Sequence, residues 1–222
     1  METVAFVAGA ATVLSAWQLM PQLARSLRVR STAGLSPAWA AIGVIINVGW
    51  GAYRWSQELW LSIFSPVIAA VLYMCLLYLV LQSSPRRRSV YVALAGVTCS
   101  LGLTGAVGGW PLIGTALGLW GGVQIAPAVW SAFRTGQPLA IAPGLWIIGL
   151  AQAALWGYYG HAVGDAALTL YGITMSTGSV AILLRFAARH RALPSSSRSA
   201  TPVGVAPSHA RASVVRWPAH SS

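Results

Sequence analysis

Lysine is absent from this chain of 222 residues: all fourteen basic side chains are arginines, and only Glu2, Glu58 and Asp165 oppose them. Charged residues make up 8% of the sequence, against roughly 25% in a soluble domain, which excludes an ordinary water-facing surface. The two cysteines, Cys75 and Cys99, sit within apolar runs without metal-ligand spacing, so a disulfide framework and a zinc site are excluded and both read as packing residues. No Ser-His-Asp arrangement, Walker loop or metal-ligand cluster is visible; the chain is not expected to be an enzyme or to carry a cofactor or a metal. The run GLTGAVG at 102–108 lacks a preceding strand and lies in an apolar stretch, which removes it as a dinucleotide loop. Arginine used without lysine is the compositional mark of a GC-rich genome and points to a bacterial cell membrane as the location.

What is present is hydrophobicity. The sequence is 56% apolar with a mean hydropathy of +0.67. A hydrocarbon core of roughly 30 Å needs about 20 apolar helical residues whose backbone bonds are internal. Seven segments qualify, at 3–24, 37–56, 59–82, 89–108, 111–133, 139–160 and 164–187, so an all-α membrane protein with seven transmembrane helices is expected. Arginine is retained on the cytoplasmic side of a membrane. Arg25, Arg28 and Arg30 follow the first segment, Arg86, Arg87 and Arg88 the third, Arg134 the fifth, and Arg185 with the tail arginines the seventh. Only Arg54 falls on the other side, together with the three acids. This pattern puts the N-terminus outside and the C-terminus in the cytosol. Glu2 and the missing basic start speak against a cleaved signal peptide. The net charge of +11 is carried by loop arginines, so no nucleic-acid partner is expected. From 188 onward Ser, Pro, Ala and Arg replace the apolar periodicity, and a disordered cytosolic tail is expected.

The chain also repeats itself. Displaced by 106 positions, it pairs Gln18 with Gln124, Pro21 with Pro127, Arg28 with Arg134, Pro37 with Pro143, Gly43 with Gly149, Trp50 with Trp156, Gly51 with Gly157 and Tyr53 with Tyr159. Trp, Pro, Gln and Tyr coincide by chance far less often than Leu or Ala. The offset covers four segments, so the paired helices run the same way through the membrane. The expected organisation is a first three-helix bundle at 1–84, a basic loop and linker helix at 85–109, a second bundle at 110–187 and the tail at 188–222. Small residues spaced by four, Gly96, Ser100, Thr104 and Gly108 in the fourth segment and Gly114, Gly118 and Gly122 in the fifth, are expected to let helices pack closely.

Pro21, Pro37, Pro127 and Pro143 flank the two cytosolic loops at equivalent positions. Proline inside a helix removes a hydrogen bond and permits a bend, whereas at the first turn it is tolerated. Pro21 and Pro127 therefore read as bend points near the inner ends of spans one and five, and the four together as a cytosolic gate. Trp50 and Trp156 stand about 13 residues, roughly 20 Å, above the inner ends of their helices. Asn47 shares the face of Trp50, and an indole face beside an amide suits a hydroxylated ring that stacks and hydrogen-bonds. The alternative is that these tryptophans only pack. Intramembrane amides are costly unless paired, so Asn47, Gln18, Gln124 and Gln152 are expected to point inward, Gln18 and Gln124 lining the path or tying helices together. Tyr53, Tyr159, Tyr171 and Thr174 are further lining candidates. No carboxylate lies mid-span, which favours facilitated transport over proton coupling and leaves Asp165 and neighbouring His161 as coupling groups at the outer end.

The stretch PQLARSLRVRSTAGLS at 21–36 resembles the PQ-loop motif, in which Pro-Gln ends one helix and Ser-Thr-x-Gly-Leu-Ser begins the next, and residues 3–187 as a whole resemble the PQ-loop and SWEET superfamily. The resemblance implies two three-helix bundles joined by a linker helix, with the four prolines near an inner gate. It also implies that Trp50 and Trp156 flank a solute held where the parallel repeats meet. The second Pro-Gln has become Pro127-Ala128, its loop counterpart is TGQPLAIAPG, and the Asn that sugar carriers show in the third helix of each bundle is replaced by Val67 and Ile173. The expected function is a transporter, a facilitator or uniporter working by alternating access. Its solute is small, neutral and polar, a sugar first and an amino acid second, and membrane lipid is its other partner. A non-transporting receptor or sorting protein of the same fold is the alternative, and a homo-oligomer is compatible with either.

Overall fold

The computed structural model describes residues 2–29, 35–83, 87–134 and 143–192. Within them the chain is helical, with no strand among the described residues. The elements are α1 (Glu2–Val29), α2 (Pro37–Ser56), a 3₁₀ turn at Trp60–Ser62, α3 (Phe64–Ser83), α4 (Arg87–Arg134), α5 (Pro143–Val163) and α6 (Ala166–Ala192). Four stretches are long and apolar enough to cross a membrane: Glu2–Arg28, Trp60–Gln82, Arg88–Trp130 and Ala166–Ala188. α2 and α5 are not among them, because Gly, Trp, Tyr, Asn47, Arg54 and Gln152 dilute their apolar content.

Several boundaries depart from expectation. The fourth and fifth segments form one element, α4, broken at Gly109 with φ 61° and ψ −155°, a conformation open essentially to glycine alone. Pro111 then sits in the first turn of the second arm, where its missing N–H costs little. Pro21 does not end its helix: α1 runs on to Val29 with the proline in its interior. α4 likewise passes through Pro127 to Arg134. The third helix begins at Phe64, after the 3₁₀ turn. α6 continues to Ala192, beyond the expected start of the tail. The rest of the tail (193–222), the loop residues 30–34 and 84–86, and residues 135–142 of the second loop lie outside the described residues.

The internal repeat is written into the backbone beyond its identical side chains. At the end of α5, Gly164 has φ 72°, its N–H donates to the His161 carbonyl (3.2 Å), and the Asp165 N–H donates to the Gly160 carbonyl (2.7 Å). This pattern of paired backward bonds closes a helix through a left-handed residue. At the end of α2 the same turn recurs, with Glu58 at φ 57°, its N–H on the Trp55 carbonyl (3.2 Å), and the Leu59 N–H on the Arg54 carbonyl (2.9 Å). Glu58 and Gly164 are 106 positions apart, so a non-glycine residue holds a left-handed backbone where its copy uses glycine.

The helices pack in two like sets. α3 lies on α1 and α2, and α6 lies on α4 and α5. Across the sets, α2 packs on α4 and α1 on α5, the reciprocal exchange that a pseudo-two-fold relation requires. Of the two small-residue stripes, the one in the 110–134 arm packs: Gly118 brings α4 so close to α6 that a Cβ there would lie 2.8 Å from the Ala167 carbonyl oxygen, and Gly122 faces Thr174. The stripe in the 87–108 arm does not. Gly96 has nothing within 4 Å, the Ser100 and Thr104 hydroxyls donate to their own helix, and Gly108 is met only by Leu112, just past the Gly109 break in the same element.

One core joins both sets, built from Val7, Ala8, Ala11, Ile46, Trp50, Tyr53, Val97, Leu117, Trp156, Tyr159, Ala167 and Leu168. Large apolar side chains such as Phe6, Trp17, Tyr78, Val92, Val107 and Leu184 face outward while Ser15, Arg54, Ser62, Ser65, Gln152 and Ser179 are buried. That inverted distribution suits a lipid surround rather than water.

Candidate functional site

The two sets leave a cavity of about 260 Å³ between them. This is somewhat below the roughly 300–1,000 Å³ of sites for drug-sized ligands, so its scale is that of a small metabolite. Its wall is built largely of repeat-related pairs: Gln18 with Gln124, Leu19 with Ile125, Trp39 with Leu145, Ile46 with Gln152, Trp50 with Trp156, Ser65 with Tyr171 and Ala69 with Met175, every pair 106 positions apart. The cavity therefore lies on the axis that relates the two sets. The wall positions without a lining counterpart are less even. Ser15, Asn47 and Arg54 come from the first set, where the second has Gly121, Ala153 and Gly160.

Two Trp–Tyr pairs, each three residues apart on one helix, mark the end of the cavity near the α2 and α5 termini. Trp50 meets Tyr53 edge-on at 5.8 Å and Trp156 meets Tyr159 edge-on at 5.7 Å. Trp156 is 1% exposed and its Nε1 donates to the Ser15 Oγ at 3.2 Å, which joins α5 to α1. The Ser15 hydroxyl in turn donates to the Ala11 carbonyl. Trp50 also meets the Tyr171 ring edge-on at 5.7 Å, and Gln152 Nε2 donates to the Tyr171 hydroxyl at 3.2 Å.

Arg54 is a wall residue that sequence reasoning did not name as such. Counted there as an arginine on the outer side, it is 4% exposed and lines the cavity. Side chains on a helix lean toward its N-terminus, so Arg54 reaches back one turn over Trp50. Its Cζ lies 5.3 Å from the Trp50 ring centroid and 4.3 Å from that of Trp156. Its Nη1 donates to the Ser62 carbonyl at 2.6 Å, while its Nε is buried without a partner. The signal was available: four residues separate Trp50 from Arg54, which puts them on one helix face. The indole faces expected to stack on a ring of the solute are thus in contact with a guanidinium.

The other expected residues divide. Asn47, Gln18 and Gln124 line the cavity, and Asn47 Nδ2 donates to the Gly43 carbonyl (2.8 Å), which leaves its oxygen as the free acceptor. Tyr53 and Tyr159 stand in the core beyond the cavity. Tyr53 donates to Asp165 Oδ2 at 2.8 Å, tying α2 to the start of α6, and Asp165 Oδ1 caps that helix by accepting from the Leu168 N–H at 2.7 Å. Thr174 is not in the wall; its hydroxyl lies 3.1 Å from the Gly118 carbonyl across the α4–α6 contact and 3.1 Å from the Tyr171 carbonyl of its own helix. Among the prolines, Pro37 opens α2 behind the Ser36 cap and Pro143 opens α5, whereas Pro21 and Pro127 are interior to α1 and α4. Pro21 and Pro37 are outside the cavity wall, which instead includes Pro66. Trp146, absent from the expected set, lines the wall with its Nε1 buried and unpartnered. Compared with protein-family models, with curated proteins and with solved structures, the chain matches none of them.

Proposed function

We propose that the chain is a membrane carrier of the PQ-loop and SWEET type, with seven spans arranged as two parallel three-helix bundles and a linker, the N-terminus outside and the C-terminus in the cytosol. The observation that carries this reading is the cavity itself. It lies on the repeat axis, and its wall contains seven pairs of positions related by the 106-residue offset. A solute held there touches both halves, so a rocking of one half against the other exposes it to one side and then the other. Bonds between the halves, Tyr53 to Asp165 and Trp156 to Ser15, hold the end near the α2 and α5 termini closed. The arginines at the opposite helix ends face the cytosol in this scheme.

The test is flux. Purified protein in liposomes should equilibrate a labelled small polar solute, and Trp50→Ala should lower that flux while the protein stays inserted. A screen of sugars, amino acids and hydroxy acids with no flux for any of them would remove transport. One observation favours a second reading, a non-transporting receptor of the same fold: a buried cation, Arg54, lies in the cavity wall. Saturable binding without flux would select it.

A further inference from the structure

We infer that the solute taken by this cavity carries a carboxylate, which docks on the Arg54 guanidinium. The inference rests on the reading that the cavity is the solute site, for a carrier or a receptor alike. Arginine presents five N–H donors and stays protonated in proteins. Among the described residues Arg54 makes one hydrogen bond, from Nη1 to the Ser62 carbonyl, and its buried Nε makes none. The free edge of the fork is therefore the side-on one, Nε with Nη2, whose two parallel N–H groups match the two oxygens of a carboxylate.

No other described residue satisfies that charge. The Trp50 and Trp156 rings hold the guanidinium in position, but a ring face attracts a cation without neutralising it. Asp165, whose field reaches Arg54, has Oδ2 taken by the Tyr53 hydroxyl and Oδ1 taken by the Leu168 N–H. A buried cation without a hydrogen-bonded counter-ion is unfavourable, and the cavity is the remaining place from which an anion can come. The charge is also one-sided, because the equivalent position is Gly160. One cationic corner faces a wall otherwise made of amides, hydroxyls, aromatic rings and apolar side chains such as Leu19, Ile125 and Met175, none of them charged, which selects a small monocarboxylate over a sugar and over a dicarboxylate.

Calorimetric titration of the purified full chain in detergent tests this with short hydroxy and amino monocarboxylic acids, each beside its own neutral amide, and with monosaccharides. At least one acid should bind, with its amide weaker by about tenfold or more, the loss expected when a charge-assisted hydrogen-bond pair becomes neutral. Arg54→Gln should abolish the preference for acid over amide, and Arg54→Lys should keep the preference at reduced affinity because the charge remains and the fork is lost. If Arg54→Gln does not yield a monodisperse helical protein, the wild-type comparison and Arg54→Lys decide. An amide or sugar that binds as tightly as the best acid overturns the carboxylate and leaves the cavity as a site for neutral solutes. Equal acid preference in wild type and Arg54→Gln overturns the role of Arg54. No binding by any of these probes overturns the cavity reading itself, and the inference with it.

Discussion

Gly157 and Gly172 face each other where α5 crosses α6, and their crowding is unequal. A Cβ on Gly172 would run into the Gly157 Cα, the Gly157 nitrogen at 2.6 Å and the Ala153 carbonyl oxygen at 2.8 Å. Non-bonded heavy atoms are best placed near 3.5–4.0 Å, so the helices would have to part by roughly 1 Å. All of these atoms are backbone, and none can swing aside. A Cβ on Gly157, by contrast, meets the Gly172 Cα at 3.3 Å and its carbonyl carbon at 3.7 Å, a shortfall of a few tenths of an ångström. Overpacking costs about 1–3 kcal/mol, and replacing a helical glycine with alanine recovers about 0.8–1.0 kcal/mol. Gly172→Ala is therefore expected to destabilise by about 1–2 kcal/mol, and Gly157→Ala to stay within about 0.5 kcal/mol of wild type. Graded unfolding in SDS, followed by tryptophan fluorescence, reads both. Because Tyr171 of the cavity wall is the neighbour of Gly172, the parting of α5 from α6 should also weaken solute binding in Gly172→Ala alone. Equal shifts for the two variants, or a larger one for Gly157→Ala, would refute the backbone-contact argument.

Two further perturbations probe the bonds between the halves. Ser15→Ala removes the acceptor of the buried Trp156 N–H; interhelical bonds of this kind in membranes contribute about 0.6 kcal/mol and at most about 1.7 kcal/mol, so the SDS midpoint should fall modestly, and an unchanged midpoint would mean the bond adds nothing. Tyr53→Phe deletes a hydrogen bond to a carboxylate, a loss of about 1.5–3 kcal/mol, so opening at that end should become more than about tenfold more frequent. Faster amide exchange across residues 160–169 is the expected readout, and exchange identical to wild type would show that the bond does not hold the halves together.

How much of this was legible in the sequence depends on the kind of signal. Helices, their approximate places and the 106-residue offset were readable because hydropathy and rare residue types act locally and survive without a structure. The same offset placed Trp50, Trp156, Gln18 and Gln124 in one wall. What failed were inferences about side-chain environment. Arg54 was read only as the one arginine outside the cytoplasmic clusters, but the 3₁₀ turn at Trp60–Ser62 supplies the Ser62 carbonyl that holds the guanidinium inward. The first span was read as ending near residue 24, while α1 continues through Pro21 to Val29. The stripe beginning at Gly96 was read as a packing face from spacing alone, and spacing does not reveal whether a neighbour is there. Thr174 was read as a wall residue, and its hydroxyl is placed instead between the Gly118 carbonyl of α4 and the Tyr171 carbonyl of its own helix.

The unequal halves bear on what such a site can recognise. Two identical parallel repeats enclose a site with two-fold symmetry, in which any polar group offered to one end of a solute is offered to the other as well. A solute with one charged end is held poorly there, because one of the two copies of its docking group always faces the wrong end. Differences at equivalent positions remove that conflict. Here Arg54, Asn47 and Ser15 stand opposite Gly160, Ala153 and Gly121, and a methyl or larger group at Gly160 would meet the Thr169 nitrogen at 2.5 Å and the Leu168 Cβ at 2.7 Å. Close packing of α5 on α6 thus leaves no room for a second arginine. The shape of one half keeps a second arginine out of the cavity wall, through a contact made outside it.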